Sequence, residues 1–95
     1  MKYYYFYVLY TADGYFYGGF TDNVQCRLAT HESGKGAKFT RVKSRHPLKL
    51  IHYEEFQTKS EALKAEANFK KLTRINKEKY LLVHHKFGNM LVKEP

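Results

Sequence analysis

Several classes of protein are excluded by what this chain lacks. It has one cysteine, Cys26, so no internal disulfide can form, and a stapled secreted scaffold is ruled out. That usage points to an intracellular, cytoplasmic setting. No apolar run approaches the ~20 residues of a membrane-spanning helix, so no membrane association is expected. The first 17 residues hold one lysine and seven tyrosines. They lack the aliphatic stretch and small-residue cleavage site of a signal peptide. There is no internal repeat, low-complexity tract or linker. Acid is absent from Lys35 to Lys49, where six basic residues stand. Ser33-Gly34-Lys35-Gly36 lacks the spacing and the Lys-Ser/Thr ending of a P-loop, and His84-His85 lacks metal-ligand spacing.

What is present describes one small basic domain. Ninety-five residues can bury about 65% of the surface exposed by the unfolded chain, enough for one core. The expected boundaries are a domain over 1–88 and a tail over 89–95. Net charge is +8 and unevenly placed. Residues 1–33 balance Lys2 and Arg27 against Asp13, Asp22 and Glu32, whereas Lys59 to Lys79 sets seven basic residues against three glutamates. Positive charge gathered in the later two-thirds suits a polyanion, most often nucleic acid.

The chain reads as β-β-α-β-α-α, an α+β fold with a three-stranded antiparallel sheet flanked by helices. Aromatic and β-branched residues over Tyr3–Tyr10 and Phe16–Phe20 flank Thr11-Ala12-Asp13-Gly14-Tyr15, a hairpin signal. A two-residue Asp-Gly turn pairs Tyr10 with Tyr17. A three-residue Ala-Asp-Gly loop pairs Leu9 with Tyr17 and puts Tyr7 and Tyr17 on one face. Turn statistics slightly favour the first; the second is adopted because two phenols on one face can form a site. Strand one is apolar on both faces, as a central strand would be. Thr21 or Asp22 should cap a helix to Glu32, with Val24, Leu28 and His31 inward and Cys26 a half-buried filler. Residues 34–45 read as a basic loop, His46-Pro47 as extended and Lys49–Phe56 as strand three. Thr58-Lys59-Ser60-Glu61 is a capping box, opening a helix whose stripe is Ala62, Leu63, Phe69 and Leu72. Thr73 should cap a last helix ending by Phe87-Gly88.

Five residues could carry chemistry: Tyr7, Tyr17, Arg27, His31 and Glu66. Each has a plain structural reading. The tyrosines could be packing, Arg27 could be solvated, His31 could complement a helix C-terminus, and Glu66 could pair with Lys70. Yet Glu66 sits in the middle of an apolar helical face. Together the five suit phosphodiester hydrolysis, which needs a group to activate water, a cation for phosphoryl charge and often a divalent ion. One carboxylate is a hard oxygen ligand suited to a single Mg²⁺ or Mn²⁺; no further aligned carboxylates suggest a second. Lys35, Lys38, Arg41, Lys43 and Arg45, with Lys70, Lys71 and Arg74, are the candidates for backbone contacts, which position a strand without reading its sequence.

In this order and spacing the residues resemble the GIY-YIG nuclease family. The resemblance runs through Tyr5-Phe6-Tyr7, Tyr17-Gly18-Gly19, Arg27, His31 and Glu66. It extends to Ala12-Asp13-Gly14, to His31 through Lys38, and to Ser60-Glu61-Ala62-Leu63 and Lys70-Lys71-Leu72. It covers roughly residues 3–83 and is closest to the small stand-alone bacterial members. The resemblance implies an endonuclease related to the nuclease domain of excision-repair enzymes, acting on DNA in repair or recombination. Tyr17 then corresponds to the tyrosine proposed as base or water-positioning group, and Tyr7 lines the same site. Arg27 stabilises phosphate, His31 assists proton transfer or positioning, and Glu66 binds the metal. The first motif's glycine and isoleucine are replaced by Tyr5 and Phe6, and the middle of the second motif is Gly18. A late asparagine of many relatives has no match. Well-studied relatives carry a separate targeting domain with no counterpart expected here, so the resemblance implies activity that is weak, structure-specific, or dependent on a protein partner supplying targeting.

Overall fold

The computed structural model describes residues 2–84. The expected 89–95 tail, and the helix end expected near Phe87-Gly88, lie outside the described residues. Strands β1 (Tyr4–Tyr10), β2 (Phe16–Thr21) and β3 (Lys49–Phe56) and helices α1 (Val24–Glu32), α2 (Lys59–Lys70) and α3 (Arg74–His84) follow the expected order. The sheet runs β2-β1-β3, antiparallel throughout, so the doubly apolar β1 is central and β2 is an edge.

The hairpin uses the three-residue loop. Leu9 faces Tyr17, and Gly14 has φ of 90°, where a side chain would be strained. Thr11 closes the loop: its N–H donates to Tyr15 O at 2.9 Å and its carbonyl accepts from Gly14 N at 3.0 Å. The Thr11 hydroxyl also bonds Asp13 at 2.6 Å, which secures the turn internally.

Alternation divides the sheet into two buried faces. Phe6 and Val8 pack with Phe69 of α2 and Leu81 of α3. Tyr7 and Leu9 pack with Leu48, Tyr17 and Leu28 on the α1 side. One extra residue in β3 opposite Val8/Leu9 shifts the ladder there. Gly18 lets α2 come close, since a Cβ there would lie 3.1 Å from the Phe69 ring.

Several local expectations are corrected. Asn23 caps α1, accepting from Cys26 N at 3.0 Å, because Thr21 is still in β2 and its hydroxyl is taken by Asn23 N at 3.1 Å. Cys26 is exposed, not half-buried. Leu63 is 40% exposed, so the inward stripe of α2 is narrower than expected, with Ala62 and Phe69 buried. Residues 34–45 are not merely a solvated loop. They form two short 3₁₀ turns, Phe39–Arg41 and Lys43–Arg45, and bury Gly36 and Thr40. Thr58 caps α2 as expected, its hydroxyl accepting from Glu61 N at 3.2 Å, but the second half of the box differs: the Glu61 carboxylate accepts from the Thr58 hydroxyl at 3.0 Å in place of the backbone N–H. Thr73 does cap α3, through Asn76 N at 3.2 Å.

Candidate active site

Tyr7 lies mid-strand in the central strand and is 1% exposed. Its hydroxyl is 2.7 Å from Nε2 of His31, in the last turn of α1. The other ring nitrogen of His31, Nδ1, is 2.7 Å from Oγ1 of Thr40. The Thr40 hydroxyl has one proton, and it donates that to Ala37 O at 3.0 Å. Nδ1–H must then donate to Thr40, which leaves the Nε2 lone pair to accept from Tyr7 O–H. A buried chain thus runs Tyr7 to His31 to Thr40 to backbone.

Two glycines make room for this chain. A Cβ at Gly19, directly opposite Tyr7, would overlap the phenol, and one at Gly36 would overlap the imidazole. Burial pushes the Tyr7 phenol up to about 12. Arg27, by hydrogen bonding and charge, pulls it the other way, while Tyr17 and Glu66 add to the rise. Burial holds His31 down at about 4, with the charges of Arg27 and His46 acting in the same direction. The imidazole is neutral at neutral pH.

The remaining candidates stand round this chain. The Tyr17 ring is 6.5 Å from Tyr7 and 5.3 Å from His31, and stacks on Phe39 at 5.9 Å. Tyr17 is only half-buried. Lys70 reaches over the edge strand, its Nζ 5.7 Å from the Tyr17 ring centroid and 3.2 Å from the Glu66 carboxylate. The structure therefore brings all five sequence candidates to one region at the β2 edge. It also makes the Glu66–Lys70 pair of the plainer reading.

The cationic candidates divide into two groups. Arg41 Nε donates to Gly36 O at 3.1 Å, supporting the backbone under His31. Arg45 lies 4.0 Å over the Phe39 ring, beside Asp13 at 3.8 Å. Arg74 joins α3 to the hairpin loop by donating to Gly14 O at 2.5 Å, and pairs with Glu78 at 2.9 Å. These three, and Lys70 on Glu66, have partners within the fold, although Arg41 and Arg74 stay exposed; Lys35, Lys38, Lys43 and Lys71 are exposed as well. Sequence reasoning passed over Thr40 and Gly36, which complete the His31 environment. Their signal was Phe39-Thr40, an uncharged pair inside the basic stretch.

Among the described residues no three His, Cys, Asp or Glu side chains gather as a metal cluster. Among the described residues Glu66 is the one carboxylate whose charge registers on Tyr7. A single hard oxygen donor fits a weakly held Mg²⁺ or Mn²⁺ that keeps most of its waters. It does not fit a tightly caged ion.

Three comparisons bear on this arrangement. The family description "GIY-YIG catalytic domain" matches residues 3–80. A UPF0213 protein of Lactiplantibacillus plantarum is 63% identical over 88% of this chain and 83% of its own length. One from Enterococcus faecalis is 57% identical over 88% and 96%. Among solved structures, the solution structure of UPF0213 protein BH0048 from Bacillus halodurans superposes with a TM-score of 0.61 at 33% identity, covering 97% of each chain. That of EF2693 from E. faecalis gives 0.60 at 56% identity, covering 90% and 93%.

Proposed function

This chain belongs to the GIY-YIG family, a nuclease family, and on that premise we propose that it is a metal-dependent endonuclease hydrolysing phosphodiester bonds in DNA. The observation that supports this most is the convergence of Tyr17, Arg27 and Glu66 around the buried Tyr7–His31 pair.

The roles follow from exposure and proton affinity. Tyr17 is the phenol open enough to meet water, and it orients the attacking molecule. Tyr7 and His31 are sealed in, and burial raises the phenol and lowers the imidazole, so both stay neutral and the Nε2 lone pair is taken up by the Tyr7 hydroxyl. His31 therefore positions Tyr7 and does not take the water's proton. Arg27 stays charged and grips phosphoryl oxygens as negative charge develops. Glu66 would hold Mg²⁺ or Mn²⁺ in exchange for its ion pair with Lys70. Such an ion, when bound, polarises the phosphoryl group and acidifies water. Lys35, Lys38, Lys43 and Lys71 hold the strand through its phosphates, with Arg41, Arg45 and Arg74 contributing from their anchored positions. Repair or recombination in the cytoplasm, with a protein partner for targeting, completes the proposal, residues 1–88 serving as the one domain.

The Glu66–Lys70 ion pair favours a second reading, a DNA- or RNA-binding module that does not cleave, since the carboxylate already has a cation. A plasmid and branched-DNA cleavage assay with Mg²⁺ or Mn²⁺, run beside a binding titration, separates the two. Cleavage by the native protein, abolished in Glu66→Ala with salt-sensitive binding intact, is expected. Unaltered cleavage by Glu66→Ala rejects the assignment.

A further inference from the structure

Arg27 faces two ways. On one side it meets Tyr7; on the other it lines a groove of about 380 Å³ with Lys2, Tyr4, Phe20, Asp22 and Lys59. The volume lies within the range of small-ligand sites. The groove runs off the open edge of β2, from which Phe20 projects toward α2. The Tyr4 and Phe20 rings are nearly parallel, 10° apart in plane with centroids at 6.1 Å, and both are only half-buried. Lys59 Nζ stands 5.9 Å from the Phe20 ring centroid. Three cations face one carboxylate, and Asp22 is already neutralised by Lys2 at 2.9 Å. Arg27 and Lys59 form no ion pair among the described residues and remain available to an anion.

We propose that this groove holds an unpaired nucleotide next to the scissile bond, its base on Tyr4 and Phe20, its own phosphate at Lys59 and the adjoining scissile phosphate at Arg27. The assignment rests on the nuclease reading for its position relative to the cut. An aromatic platform beside cations is the combination that unstacked bases recognise, and it is tolerant of sequence because every base has a π-face. Alignment with the site follows from helix geometry. Lys59 and Glu66 are seven residues apart on α2, so they share a face and are separated by roughly 10 Å along the axis. Arg27 bridges the two compartments. A strand can then run along the β2 edge with one phosphate at Arg27 and Glu66 and the neighbouring nucleotide in the groove. A base still paired in a duplex has its faces covered and cannot use the platform. The preferred substrate is therefore DNA with an unpaired nucleotide flanking the cleaved bond.

The test is fluorescence anisotropy in EDTA, with a short fluorescein-labelled single strand and a blunt duplex of the same sequence. Phe20→Leu and Tyr4→Leu keep apolar packing but remove the stacking surface, and circular dichroism melts verify their fold. Each should weaken single-strand binding at least about 5-fold while leaving duplex binding unchanged. Lys59→Gln should lower the salt dependence of single-strand binding by about 0.7 in log–log slope. Single-strand affinity equal to wild type in both leucine variants overturns the proposal, and so do equal losses on the two probes. If the leucine variants bind normally and the native protein cleaves with Mn²⁺, the groove assignment falls and the nuclease reading stands. If binding depends on Tyr4, Phe20 and Lys59 but neither Mg²⁺ nor Mn²⁺ gives cleavage, the nucleotide site stands and the nuclease reading falls.

Discussion

Acid should unfold this protein through His31 before most of its carboxylates titrate. The imidazole is fully buried, and both nitrogens are committed: Nδ1–H to Thr40, and the Nε2 lone pair to the Tyr7 hydroxyl. A proton on Nε2 would set it against the Tyr7 donor. The phenol could turn to accept, but its own proton would then need a new acceptor in a site that is closed to water. Burial and the Arg27 charge accordingly hold the folded-state value at about 4, against 6.5 for a free side chain. Because the folded value lies below the unfolded one, the contribution is complete above pH 6.5. It is lost as pH falls toward 4 and amounts to about 3 kcal/mol. For a domain of this size that loss corresponds to a fall in Tm of about 12–24 °C. Urea denaturation at steps from about pH 7 to about pH 4.5 measures the slope. His31→Gln, which keeps hydrogen-bonding ends but cannot titrate, should start less stable and show a flatter profile. Parallel pH profiles for the two proteins, or an NMR titration of His31 centred near 6.5, would refute the reasoning.

The two tyrosines should separate by phenotype. Tyr17→Phe keeps the ring stacked on Phe39, so stability should hold while cleavage drops by about 10²-fold or more, read from initial rates on plasmid. Tyr7→Phe removes the donor to a buried imidazole nitrogen and should cost about 1–3 kcal/mol in denaturation, whatever it does to cleavage. Gly19→Ala forces a methyl into the space of the Tyr7 phenol and should destabilise by about 1–3 kcal/mol; a neutral result would mean that the ring is free to move.

Local patterning determined the elements and their order. Aromatic runs specified the strands, and Asp13-Gly14 required a hairpin, although the choice between its two registers drew on function. The Thr58 cap began α2 where it was expected, since a cap needs only four consecutive residues. That Tyr7, Tyr17, Arg27, His31 and Glu66 would gather was also legible, from residue types at fitting separations. Which of them would meet water was not. That division depends on contacts such as Tyr7 to His31, 24 residues apart, and on Thr40 folding back to the far side of the same ring. Likewise Arg41, Arg45 and Arg74 read as free cations in a basic chain, while packing gave each a partner within the fold. Periodicity and capping act over a few residues, so the chain alone reports them. Burial, proton affinity and the partner of each charge arise only when the sheet and helices close on one another.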